Sequence, residues 1–247
     1  MFTFLLIGKT QGKEAQSAMN EKRVFTDQEL KEMGTRTLDL VFEAIDSGNK
    51  DKAKELANRM YKEFNYLHDG YMFWVSGLLT HIYKKYGIDA VEAAEREAHT
   101  IEARVVFKPL EKTDVRSQVE HLASSLRGHL QPITVKEDDE KISLTMQPCG
   151  SGERIIQKDG YKPEAGLARV KDPHCITWGM KDFPIYCVHC PVMEMLRIEN
   201  TGHFGVAHIV SEPISHGSCQ FVFYKNPADV PKEFYTRIGK KKPAAGR

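Results

Sequence analysis

The chain has 247 residues, of which 41% are hydrophobic and 28% charged, with a formal net charge of +1. A core of ordinary size can be buried at this length without disulfide staples, so a disordered or fibrous chain is excluded. The near-zero charge excludes a global field that would recruit nucleic acid or an anionic membrane.

The opening segment, "MFTFLLIGKTQGKEAQSAMNEKR", has no basic residue before its apolar run. The run is too short for a signal-peptide core and far below the roughly 20 residues of a membrane span. It reads as a disordered leader over residues 1–24, with Met19 as an alternative start, and the expected compartment is the cytoplasm.

Residues 25–128 read as a helical region. Thr26 and Glu29 have the spacing of a capping box. Leu30, Met33, Leu38, Val41, Phe42 and Ile45 then form an apolar stripe that ends at Gly48 and Asn49. The next stretch predicts a longer helix or a pair of helices. Its apolar face is expected at Leu56, Met60, Phe64, Leu67, Tyr71, Trp74, Leu78 and Ile82, weakened at Gly70 and Gly77. Gly87 stops it. "IDAVEAAEREA" adds a shorter helix and "TDVRSQVEHLASSLRGH" one more.

At residue 129 the period changes. "PITVKEDDEKISLTMQP" alternates as two strands around an acidic, solvated turn. "VAHIVSEP" and "SCQFVFYK" form a second hairpin, and "ADVPKEFYTRI" closes with a short helix. Residues 129–239 thus make an α+β region that binds metal or ligand, and 240–247 a basic tail. The fold class is α+β: a helical N-terminal half packed on an antiparallel sheet, with a Cys/His-rich loop insertion.

The insertion carries the chemistry. "DPHCITWGMKDFPIYCVHCPVMEML" (172–196) holds three of the five cysteines, and Cys149 sits upstream in "PCGSGER". An odd count clustered with histidines argues for reduced thiols rather than a disulfide framework. Cys187 and Cys190 form a C-x-x-C knuckle, which supplies two ligands; zinc needs four, or three and a water. The expected set is Cys149, His174, Cys187 and Cys190, with Cys175 in place of His174 as the runner-up and His189 and His216 as further candidates. Gly150 and Gly152 let the Cys149 turn close around an ion, and the same turn could form an anion-binding backbone nest. A nucleophilic Cys190 is the competing reading. His189 is expected to point away from it on an extended loop, which favours the metal.

His68, in "FNYLHDGYMFW", and His129, in "LRGHLQP", are candidate acid–base residues. Arg127 and Arg154 are candidates for holding a carboxylate, and Tyr71, Phe73 and Trp74 for an aromatic pocket. His203 and His208 lie on or beside the last hairpin, and His208 could face either side.

The segments "CPVMEML" and "VSEPISHGSCQFVFY" resemble the end of the 4-vinyl-reductase-like domains and of the related aminothiazoline-carboxylate hydrolase-like proteins. Glu212, Gly217, Cys219 and Phe221 carry the resemblance. Ile214 departs from it, because the vinyl-reductase-like domains tend to have a cysteine there. The resemblance implies an α+β small-molecule-binding fold with cysteine-linked metal or thiol chemistry.

Three functions follow as expectations. The first is a zinc-dependent enzyme, a hydrolase, acting on a small carboxylated molecule. The second is a small-molecule sensor in which zinc is structural. The third is a thiol redox protein using Cys187 and Cys190. The expected partner is a small-molecule ligand, with no nucleic acid and no membrane, and a homodimer is left open.

Overall fold

The computed structural model describes residues 23–106, 114–129, 132–202, 204–210 and 219–243. The expected leader up to residue 22, the turn "EPISHG", His203, His216 and the last four residues lie outside these. The fold is α+β, with helices in the N-terminal half and an antiparallel four-stranded sheet in the C-terminal half. The chain divides into two compact units between Phe64 and Asn65.

The first unit holds α1 (Asp27–Gly34), α2 (Thr37–Asp46) and the start of α3 (Lys50–Tyr86). The capping box forms: the Thr26 amide donates to Glu29 Oε2 at 2.7 Å, and the Glu29 amide to Thr26 Oγ1 at 3.2 Å. The core of this unit is small, built on Val41, Ala44 and Leu56. Most of the expected stripe, including Leu30, Met33, Phe42 and Ile45, is therefore exposed.

In the second unit α3 continues without a break, 37 residues in all. Gly70 and Gly77 do not divide it; each costs only about 1 kcal/mol relative to alanine. The buried face is not the expected one. Leu67, Tyr71, Trp74 and Leu78 are exposed, whereas Met72, Ser76, Leu79 and Thr80 are buried. The reason is specific polar pairing. The Thr80 hydroxyl accepts from the Ala168 amide at 3.0 Å, and the Tyr83 hydroxyl from the Lys171 amide at 3.3 Å. Asp69 accepts two bonds from Arg154. Polar residues that find partners can face a core, and periodicity of apolar residues alone does not register them.

After α3 come α4 (Ile88–Val105) and α5 (Val115–Arg127), then β1 (Ile133–Glu137) and β2 (Lys141–Met146). A short helix α6 (Gly152–Gln157) occupies what the sequence suggested was only a turn. The insertion contains a two-stranded ribbon, β3 (Arg169–Val170) with β4 (Phe183–Pro184), and 3-10 turns at Cys175–Thr177 and Ile185–Val188. The second turn runs directly into α7 (His189–Thr201). β5 (Ala207–Val210), β6 (Cys219–Tyr224), a third 3-10 turn at Pro227–Asp229 and α8 (Lys232–Thr236) complete the chain.

Both expected hairpins form, and β2 pairs with β6 to join them into one antiparallel sheet of order β1-β2-β6-β5. Leu144, Met146, Phe221 and Phe223 pack with Ala123 and Leu126 of α5. Val222 lies between Phe221 and Phe223 and points to the other face, as strand alternation requires. The larger cluster gathers Val91, Ile176, Trp178, Val188, Val192, Met195, Tyr235 and Ile238 around α7. No helix among the described residues is long and apolar enough to cross a membrane.

Thr80→Val tests the reassigned face of α3. It removes the acceptor for the buried Ala168 amide and should cost about 1–3 kcal/mol in denaturant unfolding. Leu78→Ala, on the exposed stripe, should change stability by no more than about 0.5 kcal/mol. The reverse order of effects would restore the face expected from the sequence.

Candidate functional site

Four of the five cysteines, Cys149, Cys187, Cys190 and Cys219, line one cavity of about 230 Å³ in the second unit. His129 and His189 share the lining, and Leu122, Leu126, Met146, Trp178, Met193, Val210 and Phe221 make most of the rest of it apolar. The elements explain the convergence. Cys149 follows the end of β2, and Cys219 opens β6 opposite Met146. Cys187 lies in the 3-10 turn before α7, and Cys190 in that helix's first turn. Two glycines permit the approach. A Cβ on Gly152 would lie 2.8 Å from Cys187 Sγ, and one on Gly150 2.7 Å from the Met146 methyl and 2.8 Å from His129 Cβ.

Cys190 Sγ is 3.3 Å from His189 Nε2. The Nδ1–H of His189 donates to the Tyr186 carbonyl at 2.6 Å, which leaves Nε2 as an acceptor facing the thiol. The expectation that these neighbours point apart is thus corrected. They open a helix rather than lie on an extended loop. Burial pushes the Cys190 thiol up from its ordinary range, and His208 pulls in the opposite direction.

His208 is buried beneath the site, beside Trp178 and Phe221. Its Nδ1 lies 2.8 Å from Glu194 Oε1; a carboxylate can only accept, so Nδ1 carries the proton. Burial alone would lower the imidazolium's pKa, but Cys190 and Glu194 outweigh it and raise it to about 9. Glu194 also accepts from the His208 amide and Trp178 Nε1, each at 2.7 Å, and from Arg237 at 2.8 Å.

Cys149 has the opposite environment. A hydrogen bond from the Cys219 thiol stabilises its thiolate, and the amides of Ser151, Gly152 and Glu153 add to this. Together they overcome burial and push the thiol down to about 5. The Cys219 thiol is held up by the same bond, and Cys187 by burial and by the charges of Cys190 and Cys149. Of the four thiols, Cys149 is the one whose surroundings favour the anion, whereas Cys187, Cys190 and Cys219 are held towards the protonated form.

His174 does not line this cavity. It lies with Cys175 and Glu92, whose ligand atoms are all within 4.8 Å of one another. This group could hold a metal ion, and among the described residues it is the one whose ligand atoms converge in this way. Burial and the adjacent Glu92 carboxylate push the Cys175 thiol up to about 11. The four residues expected to share an ion thus fall in two places: Cys149, Cys187 and Cys190 at the cavity, His174 beside α4.

His68 and His129 meet edge to face at 5.3 Å, and burial with the adjacent His129 lowers the pKa of His68. Arg154 is committed to Asp69, through bonds of 2.8 and 2.9 Å, so its guanidinium does not face the cavity lining. Arg127 is exposed at the last position of α5, where a basic side chain suits the helix end. Tyr71 and Trp74 flank an open depression on α3 with Tyr66, Leu67 and Phe73, separate from the cysteine cavity. Cys219 and Glu194 were not singled out from sequence as site residues, and the His189–Cys190 pairing was weighed there only as the competing reading. The alternation of β6, which sets Cys219 on the same face as Phe221, was the available signal for the first.

Comparison of the chain with protein-family models, curated proteins and solved structures finds no match.

Thiol alkylation by iodoacetamide, followed by mass spectrometry across pH, separates the cysteines. Cys149 should label with a midpoint near pH 5, because only its thiolate is stabilised. Cys190 should label above the ordinary thiol midpoint. A Cys149 midpoint near the reference of about 8.5 would remove the stabilised thiolate.

Proposed function

We propose that the protein is a cysteine-dependent hydrolase acting on a small, neutral and largely apolar molecule, with Cys190 as nucleophile and His189 as its base. The observation that carries this is the 3.3 Å approach of Cys190 Sγ to an imidazole nitrogen whose other nitrogen is fixed by the Tyr186 carbonyl. Nucleophile, base and orienting group in line are the arrangement that thiol catalysis requires.

In this reading the Cys190 proton moves to His189 Nε2 as Sγ attacks an acyl carbon, giving a thioester. His189 returns the proton to the leaving group. A water, deprotonated by the same nitrogen, then releases the acid and restores the thiol. The sum is hydrolysis of one bond by one water. His208, held by Glu194, adds positive charge beside the Cys190 sulfur as it ionises. A hydrolytic class agrees with the resemblance of residues 190–224 to the aminothiazoline-carboxylate hydrolase-like proteins.

In this reading the substrate is neutral rather than the carboxylated molecule expected from sequence. No arginine or lysine lines the cavity among the described residues, and the Cys149 thiolate would repel an anion. Zinc, expected from the Cys/His content, has no part in this thiol chemistry as we propose it. The group that could hold a metal ion, Glu92–His174–Cys175, lies outside the cavity lining.

A second reading, thiol redox chemistry, is favoured by one observation: Cys149 and Cys219 line the same cavity, and their mutual influence drives the two thiols in opposite directions. That pair, rather than Cys187 and Cys190, would then be the one that oxidises.

The two readings separate with 4-nitrophenyl acetate, a small neutral ester. The hydrolase reading expects a burst of nitrophenol, an acetyl group on Cys190, and loss of both in Cys190→Ser. His189→Ala should slow acylation by about 10²–10⁴-fold. Acetylation of Cys149 alone, or a burst unchanged in Cys190→Ser, would reject the assignment of Cys190.

A further inference from the structure

We infer that Glu92, His174 and Cys175 form a site for one zinc-class divalent cation that ties α4 to the 3-10 turn at Cys175–Thr177, separate from the thiol cavity. The inference goes beyond the proposed hydrolase and does not depend on it.

The donor atoms already face one another. Cys175 Sγ lies 3.4 Å from Glu92 Oε2 and 3.5 Å from His174 Nδ1. A thiol, an imidazole and a carboxylate are a mixed set of soft, intermediate and hard donors, the set that zinc accepts and that calcium and magnesium do not. Three protein ligands leave one position of a tetrahedron for water.

The groups behind the ligands also fit. Asp89 Oδ1 is 3.3 Å from His174 Nε2. A proton on Nε2, directed at that carboxylate, leaves the Nδ1 lone pair for the ion, as the outer carboxylate on a zinc-bound histidine does elsewhere. Arg96 Nε donates to Glu92 Oε1 at 2.8 Å, so the oxygen facing the thiol is the one left for coordination. Arg96 is shared with Glu199 at 2.8 Å and so does not neutralise Glu92 by itself. The contact an ion must displace is weak: the Ile176 amide reaches His174 Nδ1 only at 3.4 Å.

Sequence spacing supports a clasp. Glu92 lies on α4, one turn after Asp89, so both carboxylates face the same side of the helix. His174 and Cys175 begin a turn more than eighty positions away. An ion held between them would close that long loop at the half-buried edge where Glu92, His174 and Cys175 meet.

The test is cobalt titration of the chelator-stripped full chain. Thiolate coordination gives Co²⁺ a near-ultraviolet charge-transfer band, and a tetrahedral site gives intense visible bands. We expect saturation at one cobalt per chain and displacement by an equal amount of Zn²⁺. Cys175→Ser should abolish the charge-transfer band, Glu92→Gln should weaken binding at least tenfold, and Asp89→Asn should weaken it about tenfold through the histidine. Cys190→Ser should leave the titration unchanged while abolishing ester turnover, so failure of the metal site and failure of the hydrolase are read separately. Circular dichroism of each variant checks that it is folded. Absence of saturable binding, or a band that survives in folded Cys175→Ser or vanishes in Cys190→Ser, would overturn the inference.

Discussion

The buried carboxylate of Glu194 is the interaction on which the second unit's functional half depends. It is fully withdrawn from water and accepts hydrogen bonds from three different places: Trp178 in the insertion, His208 on β5 and Arg237 after α8. An ionised carboxylate in such a position is costly unless its lone pairs are satisfied, and the donors here satisfy it. Their directions in turn determine where α7 can sit. Arg237 also lies over the Trp178 ring, 4.8 Å from its centroid, so the cation that meets the carboxylate is itself held by an aromatic face.

Placing α7 places the thiols. The helix begins at His189, immediately after a 3-10 turn, so residues 187, 189 and 190 lie on a tight spiral rather than on a loop. That geometry brings a histidine and a cysteine adjacent in sequence to 3.3 Å of each other. The opposite wall is supplied by the turn after β2, which approaches closely because positions 150 and 152 have no Cβ. The amides that follow Cys149 then point at its sulfur instead of at solvent. One wall therefore favours an anion, and the other raises a thiol against two imidazoles. Pushing the proton affinities of similar groups apart in this way is how a site acquires distinct roles from one residue type.

Much of this fold was legible in the sequence. The capping box at Thr26 and Glu29, both hairpins, the class of the fold and the meeting of Cys149, Cys187 and Cys190 in one place follow from spacing and alternation. The parts that were not legible share a physical cause. The inward face of α3 carries Thr80 and the half-buried Asp69, each suited to that side only because a partner distant in sequence meets it, and Ser76, whose hydroxyl is satisfied by the Met72 carbonyl of its own helix. Asp69 with Arg154 and Thr80 with the Ala168 amide are separated by more than eighty positions. The same limit hid Glu194, which within "CPVMEML" looks like an ordinary solvated helix residue. Local patterns record which residues prefer water; they do not record which polar residue will find a mate.

The division of the cysteines follows the same logic. Cys187 and Cys190 have the spacing of a metal knuckle, and spacing alone cannot say whether two sulfurs will point at a common ion. That depends on what else competes for each sulfur. Cys190 is already engaged by His189, and Cys149 by Cys219 and three amides. Sulfurs committed to separate partners are poor co-ligands, because an ion must first break those contacts before gaining its own. Cys175 has weaker claims on it, a carboxylate at 3.4 Å and an imidazole at 3.5 Å, both of which bind cations as readily as they bind a thiol proton. The cysteine outside the knuckle is thus the one whose neighbours gain most from a bound ion.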